Sequence, residues 1–113
     1  MPPLTAPLAT ERCQPRRGAE HRIAPETARE LLAELPGWTI ADEALCREFR
    51  FADFRTAMLF ANTVACLAES ENHHPDLEIG YGRVRVRYST HDVGGLSRND
   101  FICAAKIQAL PAL

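Results

Sequence analysis

From residue 23 onward, apolar and polar positions alternate between a helical and an extended period. Ala28, Leu31, Leu32 and Leu35 recur at helical spacing behind Pro25, whose fixed φ suits a first helical turn, and the stripe stops at Pro36-Gly37. Trp38-Thr39-Ile40, a turn at Ala41-Asp42-Glu43, and the run Leu45 to Phe51 follow a period of two and predict a hairpin. Ala52 to about Asn72 predicts the longest helix. Phe54, Met58, Ala61, Val64, Ala65 and Ala68 share one face, and Asp53 suits its positive N-terminal end. Pro75 bars its continuation.

A second hairpin follows. Leu77, Ile79 and Tyr81 alternate with Glu78 and Gly80; after Gly82, Val84, Val86 and Tyr88 fall on one face and Arg83, Arg85 and Arg87 on the other. Gly94-Gly95 reads as a loop. Ser97 suits an N-cap with Asp100 at the third helical position, and Phe101, Ala104, Ala105 and Gln108 continue a last helix. The order α-β-β-α-β-β-α predicts an α+β fold, three helices on one face of a four-stranded antiparallel sheet.

Composition narrows the class without changing this picture. The 113 residues suit one domain, 46% apolar and 25% charged, with a formal charge of −2. That balance offers no basic patch for nucleic acid, and no apolar run approaches the ~20 residues that span a bilayer. Residues 1–22 differ: Arg12, Arg16, Arg17 and Arg22 outnumber Glu11 and Glu20, four prolines are present, and no apolar period appears. They read as a disordered extension ahead of a domain over 23–113; a transit peptide fits less well, because such peptides avoid acidic residues. Cys13, Cys46, Cys66 and Cys103 form no C-x-x-C, so reduced thiols in a cytoplasmic protein are expected, the last three as small buried apolar groups.

The candidate chemistry lies in Glu71-Asn72-His73-His74-Pro75-Asp76-Leu77. A hairpin turning at Tyr81-Gly82 pairs residues whose numbers sum to about 163, placing His91 across from Asn72, beside His73 and His74. Glu69 falls four residues before His73, on the same helical face if the helix lasts that far. Three readings stay open. The histidines are polar residues suiting a helix C-terminus, or metal ligands, or proton-transfer groups titrating near ~6.5. Adjacent side chains of an extended chain point to opposite faces, which weighs against one ion shared by His73 and His74.

Glu69-x-x-x-His73-His74-Pro75, followed by Tyr81, His91 and Asp100 at their spacings, resembles the signature of the pterin-4a-carbinolamine dehydratases. Ser89-Thr90-His91 with Gly95-Leu96-Ser97, Gly37-Trp38, and Phe51-x-Asp53-Phe54 with Ala57, Phe60 and Val64-Ala65 extend the similarity over roughly Pro25 to Ile107. Several fixed spacings in one chain make it specific.

The resemblance implies a lyase that removes water from 4a-hydroxytetrahydrobiopterin to give quinonoid dihydropterin, recycled beside an aromatic amino acid hydroxylase such as phenylalanine hydroxylase. The pterin is substrate, and neither cofactor nor metal is implied. Carried across by position, His73, His74 and His91 are the catalytic histidines. His74 or His91 is expected to handle the 4a-hydroxyl, and Glu69 to orient His73 or tune its basicity. Backbone groups of Leu77, Glu78 and Ile79, and of Ser89, Thr90 and His91, are expected to meet the pyrimidinone ring. Asp100 is read first as a structural cap and second as bordering the substrate. Leu77 stands where many relatives carry an aromatic ring, implying a more open pocket, and Asn72 where an aspartate is common. A homodimer or homotetramer is implied. So is an alternative: some relatives serve as a dimerisation partner of a transcription factor through a helical surface, and Leu59, Phe60 and Leu67 supply apolar residues off the main stripe of the long helix.

Overall fold

A computed structural model describes residues 6–111, with side chains from Leu8 onward. Four strands, β1 (Thr39–Ala41), β2 (Ala44–Arg50), β3 (Asp76–Gly80) and β4 (Arg83–Tyr88), form one antiparallel sheet in the order β1-β2-β4-β3. Both hairpins turn where the alternation breaks. Asp42 and Glu43, at φ 51° and 59°, link β1 to β2, and Tyr81-Gly82 links β3 to β4. The pairs Asp76 with Arg87 and Leu77 with Val86 keep the expected sum of 163. Val84, Val86 and Tyr88 are fully buried on one face of β4, while Arg85 and Arg87 on the other lie within 4 Å of Glu78 and Asp76 across the pair.

The helices are α1 (Ala6–Thr10), α2 (Pro25–Leu32), α3 (Phe54–Glu71) and α4 (Arg98–Gln108), with 3₁₀ turns at Ala19–His21 and His91–Val93. Pro25 opens α2, and Asp53 caps α3 by accepting the Thr56 N–H at 2.8 Å. The buried face of α3 differs from the expected stripe. Ala57, Phe60, Ala61, Val64, Ala68 and Glu71 point inward, whereas Phe54 and Ala65 are exposed. Phe60 moves to the core because Phe49 and Phe51 of the first hairpin receive its ring at centroid distances of 4.6 and 5.1 Å. Cys66 is exposed, against expectation; Cys46 and Cys103 are buried.

The expectation of a disordered leader requires correction. Residues 1–5 lie outside the described residues, but from Ala6 the chain is ordered against α3 and α4. Leu8, 3% exposed, enters the core as α1 packs on α4. Glu11 takes a bidentate pair from Arg98 at 2.8 and 2.6 Å. Asn99 exchanges hydrogen bonds with the Gln14 backbone at 3.1 and 2.7 Å, and Arg16 donates to its side chain at 3.0 Å. The strap then continues by Gly18 N–H to Asp92 O, 3.0 Å, and Ile23 N–H to Leu96 O, 2.8 Å. Leu8, with Ala9, Cys13 and Ile23 partly buried beside the core, and a row of polar pairs hold it, a pattern that carries no period. Because the strap covers its outer side, α4 is buried nearly all round.

Glu71 is a buried polar anchor of the strap. Its side chain, 5% exposed, accepts the Cys13 N–H at 2.8 Å and meets Arg12 at 2.9 Å and Lys106 at 3.8 Å. Burial alone would raise its pKa, yet the Cys13 N–H, Lys106 and Arg12 outweigh burial and hold it below the ordinary value. A depressed carboxylate pKa stabilises the fold above the unfolded value near ~4.3 and loses that contribution as pH falls through the folded value. Acid is therefore expected to loosen the strap. At neutral pH, Glu71→Ala should lower stability by about 1–3 kcal/mol, mostly through the unpaired Cys13 amide. Trypsin should then cut faster after Arg12, Arg16 and Arg17; unchanged protection would mean that Asn99 and Arg98 suffice.

Candidate active site

The last turn of α3 positions the histidines. Asn72 adopts the left-handed conformation, φ 52° and ψ 42°, so that its N–H reaches Glu69 O at 3.2 Å and the His73 N–H reaches Ala68 O at 3.1 Å. This paired closure ends the helix and redirects the chain into β3. His73 consequently does not continue the helical face of Glu69. Glu69 instead accepts a hydrogen bond from His74 Nε2 on the exposed surface, correcting the expectation that it orients His73.

The partner of His73 is Asp100. His73 Nε2 donates to Asp100 Oδ1 at 2.6 Å, with side-chain exposures of 13% and zero. Asp100 sits in the first turn of α4, where a negative charge meets the positive end of the helix. Its Oδ2 accepts the Ser97 N–H at 2.9 Å, closing the expected capping box, and the Thr90 hydroxyl at 2.8 Å. Thr90 spends its only proton there, so the Ser97 hydroxyl, 2.7 Å away, donates to Thr90. The His73 ring stacks on Tyr88 at 5.2 Å, and the Tyr88 hydroxyl donates to His73 O at 3.3 Å.

Burial pulls the His73 pKa down, but the hydrogen bond to Asp100 and its charge outweigh that effect and hold it above the ordinary value. The imidazole is thus fixed in orientation and biased towards its protonated form. It borders a cavity of about 260 Å³ walled also by Thr90, Asn72, Glu71, Asp92 and Asn99, and on the outer side by Cys13 to Arg17 of the strap.

Not all expected residues converge. His73, Thr90 and Asp100 come together, and His74 stands beside Glu69. His91 lies exposed in the 3₁₀ turn after β4, because Thr90 bridges Gly95 and ends the pairing that would have carried His91 across from Asn72. Leu77 and Ile79 share the core face of edge strand β3 with Val86 and Val84, while Glu78 lies on the outer face beside Arg83 and Arg85. Ser89 is half-buried between Tyr88 and Thr90. Among the described residues no three His, Cys, Asp or Glu side chains are grouped to hold a metal ion. The strap wall and the His73–Asp100 pair escape sequence reasoning. Their one local signal, an acid at the third position of a helix, is fully explained by capping.

The structure is that of a small α+β protein in which a buried histidine–carboxylate pair borders a cavity at one end of an antiparallel sheet. The family model described as pterin 4 alpha carbinolamine dehydratase matches residues 21–110. A Stenotrophomonas maltophilia strain K279a protein named as a pterin-4-alpha-carbinolamine dehydratase is 53% identical over 106 residues, covering 92% of this chain and 91% of its own. One of the same name from Xanthomonas campestris pv. campestris strain 8004 is 52% identical, covering 92% and 90%. Among solved structures, a Brucella melitensis protein described as a transcriptional coactivator/pterin dehydratase superposes with a TM-score of 0.74 at 38% identity, over 78% of this chain and 96% of its own. The chain belongs to the pterin-4-alpha-carbinolamine dehydratase family, a family of hydro-lyases. No helix among the described residues is long and apolar enough to cross a membrane.

Proposed function

We propose that this protein dehydrates the 4a-carbinolamine of a tetrahydropterin by metal-free acid/base catalysis, with His73, His74 and His91 as the proton-handling groups. The observation that carries the reading is His73, held by a buried carboxylate at the wall of a cavity. Loss of water needs one proton delivered to the 4a-oxygen and one removed from N5 as the C4a=N5 bond forms, so the active site ends the cycle with no net proton gained. His73, its Nε2 engaged by Asp100, retains Nδ1 to act on substrate, and its raised pKa suits it to donate. This gives the 4a-oxygen to His73 rather than, as the resemblance implied, to His74 or His91; His74 and His91, both exposed, then take the N5 proton and position the substrate. The backbone groups expected to meet the pterin ring are those of Leu77, Glu78 and Ile79 in β3 and of Ser89, Thr90 and His91 after β4. Catalysis of this kind contributes about 10²–10⁴-fold.

In this reading the protein works in the cytoplasm as a homo-oligomer beside a pterin-dependent hydroxylase such as phenylalanine hydroxylase, returning oxidised pterin for reduction. The hydroxylase also provides the test. Carbinolamine generated by it decays to quinonoid dihydropterin with an ultraviolet change, and this protein should accelerate the decay in proportion to its concentration. Folded protein that leaves the decay unchanged would refute the reading. A second reading, a binding module acting through its helical surface, draws on α3, where Phe54 and Leu59 are 50% and 47% exposed.

A further inference from the structure

Cys13 and Cys103 come from opposite ends of the chain, 90 residues apart, and their Sγ atoms lie 3.5 Å from each other. Cys103 is fully buried on α4, one turn after Asp100, and cannot move without its helix. Cys13 is half-buried on the strap, outside any helix or strand, and its side borders the cavity. One sulfur is therefore fixed, and the other borders the cavity on a segment outside any helix or strand. Closing the gap to a bonded distance of about 2.05 Å asks for a shift of roughly 1.5 Å from the strap. The hydrogen bond between the two thiols lowers the pKa of Cys103 and, with burial, raises that of Cys13, so Cys103 is the one of the pair that gives up its proton first.

We propose that Cys13 and Cys103 form a reversible intramolecular disulfide under hydrogen peroxide, fastening the strap to α4 beside the His73 cavity. One thiol of the pair gives up its proton as its sulfur attacks peroxide, and it becomes a sulfenic acid with release of one water. The neighbouring thiol then attacks that sulfur and expels a second water. Two thiols and one peroxide give one disulfide and two waters, the thiols supplying both electrons and both protons. Cys66, exposed on α3, and Cys46, buried in β2, have no such neighbour among the described residues and remain thiols through this step. The bond closes a 90-residue loop, which restricts the unfolded chain strongly, and it converts the outer wall of the cavity from a polar clasp into a covalent one.

Full-length reduced protein exposed to one equivalent of peroxide, alkylated and digested with trypsin without reductant, tests this directly. Cleavage after Arg12, Arg16, Arg98 and Lys106 releases Cys13–Arg16 and Asn99–Lys106. They should appear as one species, lighter than their sum by the two hydrogens lost, and separate on adding dithiothreitol. The Tm should rise by at least about 5 °C. Recovery of both peptides as separate alkylated thiols, Cys13 carried to sulfinic acid with Cys103 free, or linkage only between two chains through Cys66 would each overturn the proposal. Cys13→Ser, which removes one sulfur of the pair, should show no peroxide-dependent rise in Tm; an equal rise in that variant would also overturn it.

Discussion

Asp100→Asn is expected to lower dehydration by about a hundredfold at neutral pH and to move the pH dependence of what remains. Asparagine keeps the shape of the side chain but removes the charge that opposes burial at His73. The His73 pKa, now raised, should fall once only the charge at Cys103 opposes desolvation. If protonated His73 delivers the proton to the 4a-oxygen, activity declines as pH rises through that pKa, and the variant's decline should begin at lower pH. A merely structural Asp100 would reduce the amount of folded enzyme and leave the limb where it was. Stability offers an independent check of sign. A raised histidine pKa stabilises the fold fully below the unfolded value near ~6.5 and loses that contribution as pH rises through the folded value. Denaturant midpoints of the parent should fall over that window, while those of the variant stay flatter.

His74→Ala and His91→Ala should each cost about 10²–10⁴ in rate and leave the Tm nearly unchanged. Both side chains are exposed, and the link from His74 to Glu69 lies in solvent, where an ion pair contributes little. His73→Ala is the necessary contrast. It should lose activity and also stability, by about 3 kcal/mol, because it leaves a fully buried carboxylate without its cation. Parallel kinetic and thermal measurements separate the cases. Should His74→Ala or His91→Ala unfold the protein, those residues are structural; should both keep full rate, the proton transfers belong to His73 and its neighbours alone.

What was legible in the sequence follows from which forces leave a period. The sheet was readable because Val84, Val86 and Tyr88 alternate with arginines, and the Tyr81-Gly82 turn then fixed the β3–β4 register. Asp53 and the Ser97–Asp100 pair announced two helix starts through capping chemistry alone. The histidine corner was legible as a neighbourhood but not as a wiring diagram. One residue decided it: Asn72 in the left-handed conformation swings the chain so that His74, not His73, meets Glu69, and frees His73 for a carboxylate 27 positions away. No local pattern encodes that exchange. The strap was missed for a related reason. Its anchors, Glu11, Cys13, Gln14 and Arg16, find partners in Arg98, Glu71 and Asn99 rather than sharing one apolar face.

The strap also bears on where this domain begins. The family match opens at residue 21, behind every one of these anchors. The S. maltophilia relative, matching 92% of the chain, leaves about nine residues outside and so reaches into the strap. A shortened protein started at residue 21 would leave Glu71 facing solvent without its amide donor, uncover Cys103 and strip one wall from the cavity. Such a fragment is a different molecule, with an open groove and a reactive thiol in place of a lined pocket. A boundary drawn at the family match would thus remove part of the domain it was meant to delimit.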